Sequence, residues 1–255
     1  MPEPLLVLDG LDKRFGGVQA VKDLSFAVGH SEIVGLIGPN GSGKSTSVNL
    51  IAGTLRPSGG DIRLDGRSIA DLPISGRVPL GLARTFQTTS LFAEFGVRDQ
   101  VLAASHTSFR SSPIGAVLRL PAARREEDRQ RDKAREILDF TGLGDVADEP
   151  SSSISSARQR LLMIATALAS EPRVLLLDEP AAGMVAKERK ELAGLILRIR
   201  DRGIAVLVIE HHMGLIMEVC KRIVVLNFGQ KIAEGTPGEI QQNPAVIEAY
   251  LGGAR

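Results

Sequence analysis

Hydrophobic and polar residues alternate along three segments in the first part of the chain, Leu5 to Phe15, Leu24 to Val28 and Asp61 to Gly66. Such alternation is typical of strands that bury one face of a sheet. The last segment ends in Asp65-Gly66, a dipeptide that favours a tight turn. The pattern therefore predicts an antiparallel β portion near the N-terminus.

Three other segments are apolar almost without interruption: Ile33 to Ile37, Val174 to Leu177 and Ile204 to Ile209. Runs of this kind are typical of parallel strands that are buried on both faces. Between the last two, Lys187 to Arg200 carries apolar residues at helical spacing, which predicts a strand–helix–strand unit with a right-handed crossover. Near the end of the chain, two short apolar segments flank Asn227 to Gln230 and predict a hairpin.

The middle of the chain lacks such strand-like runs. Ala122 to Phe140 is rich in charges of both signs and has a helical pattern, and the Ser-rich stretch from Ser151 to Ser156 is interpreted as a linker between subdomains. We predict an α/β fold in one domain, with a mostly parallel sheet, an N-terminal antiparallel β subdomain and a helical subdomain. The predicted ranges are about 1–87 and 169–255 for the core with its antiparallel part, and about 88–168 for the helical subdomain.

Composition excludes several classes of protein. The chain has 255 residues, and its 31 Lys and Arg residues nearly balance 30 Asp and Glu residues, for a formal net charge of +1. This balance argues against a protein that holds nucleic acid by bulk charge, so we expect no nucleic-acid partner. The single cysteine, Cys220, excludes a disulfide framework and fits a reducing compartment. No apolar stretch approaches the roughly 18 residues that a membrane span requires.

The segment from Gly38 to Thr46 fits the phosphate-loop pattern G-x-x-x-x-G-K-[ST]. It follows the apolar run that ends at Ile37 and precedes a potentially helical stretch, which is the context that a phosphate loop requires. Glycines let backbone N–H groups converge on phosphate oxygens, Lys44 can reach the β- and γ-phosphates, and the Ser45 hydroxyl can ligate Mg²⁺. The predicted nucleotide-binding residues are Gly38, Pro39, Asn40, Gly41, Ser42, Gly43, Lys44, Ser45 and Thr46.

Two carboxylates follow the second apolar run, in the sequence Asp178-Glu179-Pro180. Strand alternation is expected to place Asp178 and Glu179 on opposite faces, so that they serve different purposes. Asp178 suits the Mg²⁺ shell, and Glu179 suits polarising an attacking water. Together with the phosphate loop, these residues predict a P-loop NTPase core that hydrolyses its nucleotide.

The order of four motifs carries a family resemblance: the phosphate loop, ArgThrPheGln at Arg84 to Gln87, LeuLeuLeuAspGluPro at Leu175 to Pro180, and IleGluHis at Ile209 to His211. In this order they resemble the nucleotide-binding domain of an ABC transporter. The resemblance extends over essentially the whole chain. It implies that the cofactors are ATP and Mg²⁺.

The resemblance also implies roles for individual residues. Phe15 stacks on adenine, Gln87 senses the γ-phosphate and Mg²⁺ and faces the membrane subunit, and His211 contacts the γ-phosphate. The segment Ala181 to Met184 crosses to a partner subunit. From the residues alone, Phe15 could equally be a core residue, and the pair His211-His212 could bind a metal weakly.

Longer stretches are similar to the ATPase subunits of branched-chain amino-acid importers, among them Arg14 to Val21, Gly81 to Gln87 and the tail that begins at Glu234. This similarity implies an ATPase that powers import of branched-chain amino acids or a related small polar solute. It implies permease subunits as partners and a solute-binding protein as an indirect one. It places the chain peripherally on the cytoplasmic side of the plasma membrane.

One motif departs from the family pattern. Family members present a Leu-Ser-Gly-Gly-Gln-type segment to the ATP held by the opposite subunit of a dimer, and here that segment is Ile154 to Arg158. Ser155 is retained and would contact the partner-held ATP, but Ala157 replaces a glycine and Arg158 replaces a glutamine. We therefore expect a dimer with a second ABC ATPase, and a heterodimer is favoured over a homodimer. The alternatives are an ABC subunit with weak or no turnover that regulates its partner, and a non-transport ABC ATPase.

Overall fold

The computed structural model describes residues 3–85, 95–105 and 121–251. The chain divides into two compact units, one formed by Met1–Arg84 with Arg173–Arg255 and one formed by Thr85–Pro172. Within the described residues, no helix combines the length and the apolar character that crossing a bilayer requires.

The first unit contains all strands of the two described sheets. Their bounds are β1 Leu6–Phe15, β2 Val18–Val28, β3 Ile33–Ile37, β4 Gly59–Leu64, β5 Arg67–Ser68, β6 Leu82–Arg84, β7 Val174–Asp178, β8 Ala205–Ile209, β9 Arg222–Asn227 and β10 Gln230–Gly235. One sheet has four strands in the order β2-β1-β4-β5, and its pairs are antiparallel. This confirms the antiparallel portion that alternation predicted near the N-terminus.

Helices occur in both units. In the first unit they are α1 Lys44–Ala52, α2 Ile74–Arg77, α6 Ala186–Asp201, α7 Met213–Val219, α8 Pro237–Gln242 and α9 Pro244–Leu251. In the second unit they are α3 Val97–Ala104, α4 Pro121–Thr141 and α5 Ser156–Ala169.

The second sheet has six strands in the order β10-β9-β3-β8-β7-β6. Its neighbours pair in parallel except for β10, which pairs antiparallel with β9. Every residue of β3, β7 and β8 is buried, as the continuous apolar runs predicted. Leu50 and Ile51 of α1 belong to the same apolar core, so the helix that follows β3 is anchored on the sheet. Because β3, β7 and β8 run parallel, their carboxyl ends lie at the same edge of the sheet.

The helical unit corrects one expectation from the sequence. The Ser-rich segment does not link subdomains, because residues on both sides of it lie within Thr85–Pro172. Ser151 is buried, its N–H donates to the Phe95 carbonyl at 3.0 Å, and its hydroxyl accepts from Gln100 Nε2 at 3.1 Å. Ser155 at the end of the segment caps α5. Serine side chains serve here as buried hydrogen-bond partners and as a helix cap. Composition alone cannot tell these roles from that of serines in a linker.

A buried cation closes the C-terminal end of α1. The Arg77 guanidinium donates to the carbonyls of Leu50 and Ile51 at 2.7 Å each, to Leu72 at 2.8 Å and to Ala70 at 3.0 Å. Arg77 is only 1% exposed, and burial lowers the pKa of its guanidinium to about 10. Carbonyls at a helix C-terminus have no partner within the helix. This side chain satisfies the Ile51 carbonyl and gives the Leu50 carbonyl a second donor beside the Gly53 N–H.

We therefore expect Arg77→Met to lower the melting temperature by about 5–10 °C, since it removes charge-assisted hydrogen bonds from buried carbonyls. The matched control is Arg67→Met, because Arg67 lies exposed in β5. That variant should melt within about 2 °C of the parent. Thermal unfolding followed by circular dichroism measures both, and equal melting temperatures for the two variants would contradict the capping role.

Candidate functional site

The loop between β3 and α1 depends on glycine where it meets neighbouring backbone. Gly38 has φ +152°, and a Cβ built there would collide with the Leu226 carbonyl oxygen at the end of β9. Gly43 has φ +100°, and its Cβ would lie 2.7 Å from the Ala20 carbonyl oxygen. Side chains cannot occupy these positions, so the two glycines let the loop pass closely between β2 and β9.

The turn between β9 and β10 fastens the same loop. The Gly229 N–H donates to the Ser42 carbonyl at 3.0 Å, and the Gly229 carbonyl accepts from the Lys22 N–H at 2.9 Å. Ser42 is itself buried. The loop is therefore held by hydrogen bonds that originate in the turn rather than by its own backbone alone.

Lys44 lies at the start of α1 with its side chain turned back on the loop. Its ammonium donates to the carbonyls of Gly38 and Pro39 at 2.7 and 2.9 Å. Burial lowers the pKa of Lys44, and attraction to the Glu179 carboxylate opposes that shift. The ammonium of the loop is therefore attracted to the carboxylate that follows β7.

The N-terminus of α1 is open to an anion. Gly43 is its cap residue, and neither a side-chain cap nor an acidic residue in the first turn is present. Ser45 in this turn is exposed. Free backbone N–H groups and the positive end of the helix dipole favour a phosphate at such a position. With Lys44 beside it, the loop fits a polyphosphate chain.

Asp178 ends β7 and is fixed by a cation from the neighbouring strand. Its Oδ2 accepts from the Arg84 guanidinium at 2.8 Å, and its side chain is only 1% exposed. The same guanidinium donates to Asn49 Oδ1 on α1 at 2.7 Å. Arg84 therefore ties the carboxylate of β7 to the helix that follows the loop. Its role was not foreseen from the sequence, where Arg84 counted only as the start of the ArgThrPheGln motif.

Glu179 is oriented by a turn. Strand β7 ends at Asp178, and Glu179 has φ +48°, a left-handed conformation that is unusual for a residue with a side chain. Its N–H donates to the Ile209 carbonyl at 2.8 Å, which holds the turn against β8. We expected strand alternation to place Asp178 and Glu179 on opposite faces, and this reason is wrong because Glu179 lies beyond the end of the strand. Their environments do differ: the side chain of Glu179 is 36% exposed.

His211 follows β8 and lies at the same edge. Its Nδ1 is 3.9 Å from Glu179 Oε1 and 3.8 Å from Glu210 Oε2, and its side chain is 56% exposed. The His211 and His212 rings stand 4.6 Å apart. One potential ligand atom from each of Glu210, His211 and His212 lies within 4.8 Å of the others. Glu179 and His211, which follow the adjacent strands β7 and β8, therefore lie close together.

Phe15 is a surface residue. It ends β1 opposite Val18, and 47% of its surface is exposed. The Lys13 ammonium lies 5.1 Å from the centroid of its ring. The alternative in which Phe15 belongs to the core is therefore wrong, and its ring is accessible for stacking.

The segment expected to face a partner lies in the helical unit. Ser155 is the N-cap of α5, where its hydroxyl accepts from the Arg158 N–H at 3.3 Å. Ala157 exposes 8% of its surface, so its methyl group does not line the outer face of this turn. The Arg158 guanidinium pairs with Asp145 at 2.8 Å, and its side chain is 39% exposed. Gln87 lies outside the described residues.

The chain is similar to known proteins along its whole length. A family model described as ABC transporter matches residues 21–182, and one described as branched-chain amino acid ATP-binding cassette transporter matches residues 230–255. The chain is 42% identical to the high-affinity branched-chain amino acid transport ATP-binding protein LivG of Salmonella typhimurium, with 100% of both chains covered. It is 40% identical to the corresponding protein BraF of Pseudomonas aeruginosa, again with 100% of both covered.

A relative with another role is more distant. The lipopolysaccharide export system ATP-binding protein LptB of Acidithiobacillus ferridurans is 36% identical, with 97% of each chain covered. Among solved structures, a nucleotide-free ATP-binding cassette from an ABC transporter aligns with a TM-score of 0.85 and 28% identity over 97% of this chain and 99% of that chain. An ADP-bound cassette of an ABC transporter aligns with a TM-score of 0.86 and 29% identity over 98% and 99%.

The Arg84–Asp178 pair makes a stability prediction. We expect Arg84→Met to lower the free energy of unfolding by about 3 kcal/mol, because it leaves the Asp178 carboxylate buried without this partner. Arg84→Lys should recover only part of the loss, since an ammonium lacks the fork that spans Asp178 and Asn49. Urea unfolding provides the measurement.

The control is Arg63→Met, which breaks the ion pairs of the exposed Arg63 with Asp61 and Asp9 on the four-stranded sheet. Exposed pairs contribute at most about 1 kcal/mol. A loss for Arg84→Met no larger than that for Arg63→Met would show that the buried pair does not stabilise the site.

Proposed function

The chain belongs to the ABC transporter family of ATP-binding cassettes, and we propose from this that it binds and hydrolyses ATP to power the import of branched-chain amino acids. The observation that carries the proposal is a phosphate loop that holds Lys44 beside an α1 N-terminus open to an anion, on a sheet whose strands β7 and β8 are followed by Glu179 and His211, 3.9 Å apart. The match to LivG and BraF along the full chain favours branched-chain amino acids over lipopolysaccharide as the transported class.

The loop residues would bind the phosphates of ATP through their backbone N–H groups, and Lys44 would exchange its two loop carbonyls for phosphate oxygens. We propose that Ser45 and Asp178, together with Gln87, hold Mg²⁺. When bound, this ion would neutralise charge on the phosphate oxygens. Arg84 would keep the Asp178 carboxylate in place, because its guanidinium is anchored to α1 through Asn49.

Hydrolysis would fall to Glu179 and His211. Glu179 is partly exposed and is set by its left-handed turn, so its carboxylate can accept a proton from an attacking water. His211, near Glu179 and exposed, would contact the γ-phosphate. Phe15 would stack on adenine with its exposed ring.

We propose further that the chain works as a dimer of ATPase subunits bound to transmembrane permease subunits, on the cytoplasmic face of the membrane. Residues of the helical subdomain, expected at about 88–168, and Gln87 would transmit the closure of the dimer to the permease. A solute-binding protein would deliver the amino acid to the permease rather than to this chain. Binding of ATP would shift the population between open and closed dimers.

The segment around Ser155 favours a heterodimer. Arg158 places a long cation where the family pattern has glutamine, and its pairing with Asp145 orders it on the surface of α5. A second ATPase with an intact segment would complete the site built on Lys44 and Glu179. The same feature supports a second candidate function, in which the chain binds ATP with little turnover and regulates its partner.

Two variants separate binding from hydrolysis. Lys44→Ala should weaken ATP affinity about 10- to 100-fold, because it removes a charge-assisted contact to phosphate. Glu179→Gln should retain affinity within about threefold, trap a dimer in the presence of MgATP, and lower the hydrolysis rate at least about 100-fold. Equilibrium binding, sedimentation velocity and phosphate release provide the measurements.

Glu191→Gln is the matched control, because Glu191 is an exposed glutamate on α6 and the variant carries the same charge change. It should behave like the parent chain in all three assays. Hydrolysis by Glu179→Gln at the parental rate would remove Glu179 from its role.

The partner-facing segment gives a separate test. In the purified homodimer, Ala157→Gly with Arg158→Gln should raise the ATPase rate by about tenfold or more, since each donor to a transferring phosphate contributes strongly. Because Ala157 is buried, most of the gain should come from Arg158→Gln alone. Arg160→Gln makes the same charge change on α5 and should leave the rate unchanged. If the double variant gains nothing, the segment is not the cause of a defect.

A further inference from the structure

Glu210 is a buried carboxylate that the proposed chemistry does not use. It follows β8 and is 1% exposed. Its Oε2 accepts from the N–H groups of His211 at 3.0 Å and His212 at 3.2 Å. Its Oε1 accepts from the Ala181 N–H at 2.7 Å. A carboxylate removed from water is costly unless hydrogen bonds compensate for its lost hydration, and backbone donors do so here.

The three donors belong to two different segments. His211 and His212 follow β8, whereas Ala181 begins the segment Ala181–Met184 that follows β7. The parallel register sets the strand ends side by side, because Asp178 pairs with Ile209. A single side chain therefore holds two loops that leave adjacent strands, and one loop cannot shift without disturbing the carboxylate that binds the other.

We propose that Glu210 is a positioning residue that couples His211 to the segment Ala181–Met184. This inference rests on the proposed function, in which His211 meets the γ-phosphate and Ala181–Met184 reaches the partner subunit. A contact made at His211 pulls on its own backbone N–H, which shares Glu210 with the Ala181 N–H. Occupancy of one nucleotide site would thereby be transmitted to the surface that faces the second subunit.

The variant Glu210→Asp breaks one half of this arrangement. An aspartate side chain is one methylene shorter, yet it can still accept from the N–H groups one and two residues further along the chain. It should therefore keep the bonds to His211 and His212 and lose the bond to Ala181. The matched control is Glu32→Asp, which shortens a carboxylate at the end of β3 that is remote from the phosphate loop. The Glu32 carboxylate accepts from the Gly29 N–H at 2.7 Å and from the Arg222 guanidinium at 3.0 Å.

The experiment is amide hydrogen exchange by NMR on the full chain, with and without the non-hydrolysable ATP analogue AMP-PNP and Mg²⁺. In the parent, the analogue should slow exchange at the amides of Gly41, His211 and Ala181. In Glu210→Asp, the Ala181 amide should exchange about 10- to 100-fold faster without analogue, because a hydrogen bond to a charged acceptor is lost. Its response to the analogue should disappear, while the responses of Gly41 and His211 persist.

His211→Ala tests the same coupling from the other end and serves if Glu210→Asp does not fold. It should abolish the response at Ala181 while Gly41 still responds. Glu32→Asp should leave all three responses as in the parent. A full Ala181 response in Glu210→Asp or in His211→Ala overturns the coupling while leaving the proposed function intact. A parent chain whose Gly41 amide ignores the analogue overturns the proposed function itself.

Discussion

The parallel register of β3, β7 and β8 is the constraint on which the site depends. These strands are buried along their whole length, so their side chains fix how far each strand reaches toward the shared edge. A shift of one residue in β7 would move Asp178 out of its register with Ile209 and away from its Arg84 partner, and it would displace the turn at Glu179. Because apolar packing sets the register, the charged groups need no direct attraction to meet. The chemistry of the edge is a consequence of the core.

Sequence patterns predicted most of this scaffold, because the signals were long or local. The phosphate loop and the buried runs on either side of α6 follow directly from residue order. Strand β6 has three residues and gives no periodicity to detect, and the pairing of Arg84 with Asp178 joins residues far apart in the chain. Glu210 did carry a signal, since an acid directly after a buried strand belongs to the same edge as Asp178.

The positions where the sequence-based expectations were wrong have one physical cause in common. Serines at 151–156 and the turn at Glu179 were interpreted from intrinsic preferences, whereas tertiary hydrogen bonds decide their conformation. Ser151 is satisfied by Phe95 and Gln100, and Glu179 is held by the Ile209 carbonyl. Buried polar groups of this kind are specified by partners that lie on other elements, so a single window of sequence cannot reveal them.

The hydrogen bonds from Gly229 to the phosphate loop have a consequence for the affinity and selectivity of binding. The turn that bonds Ser42 and Lys22 belongs to the hairpin at one edge of the large sheet, whereas β2 belongs to the other sheet. Both sheets thus brace the loop, and a rigid receptor spends little conformational entropy when its ligand arrives. A braced loop favours anions whose oxygens match the positions of its N–H groups, and on binding only the Lys44 side chain has to leave its carbonyl partners.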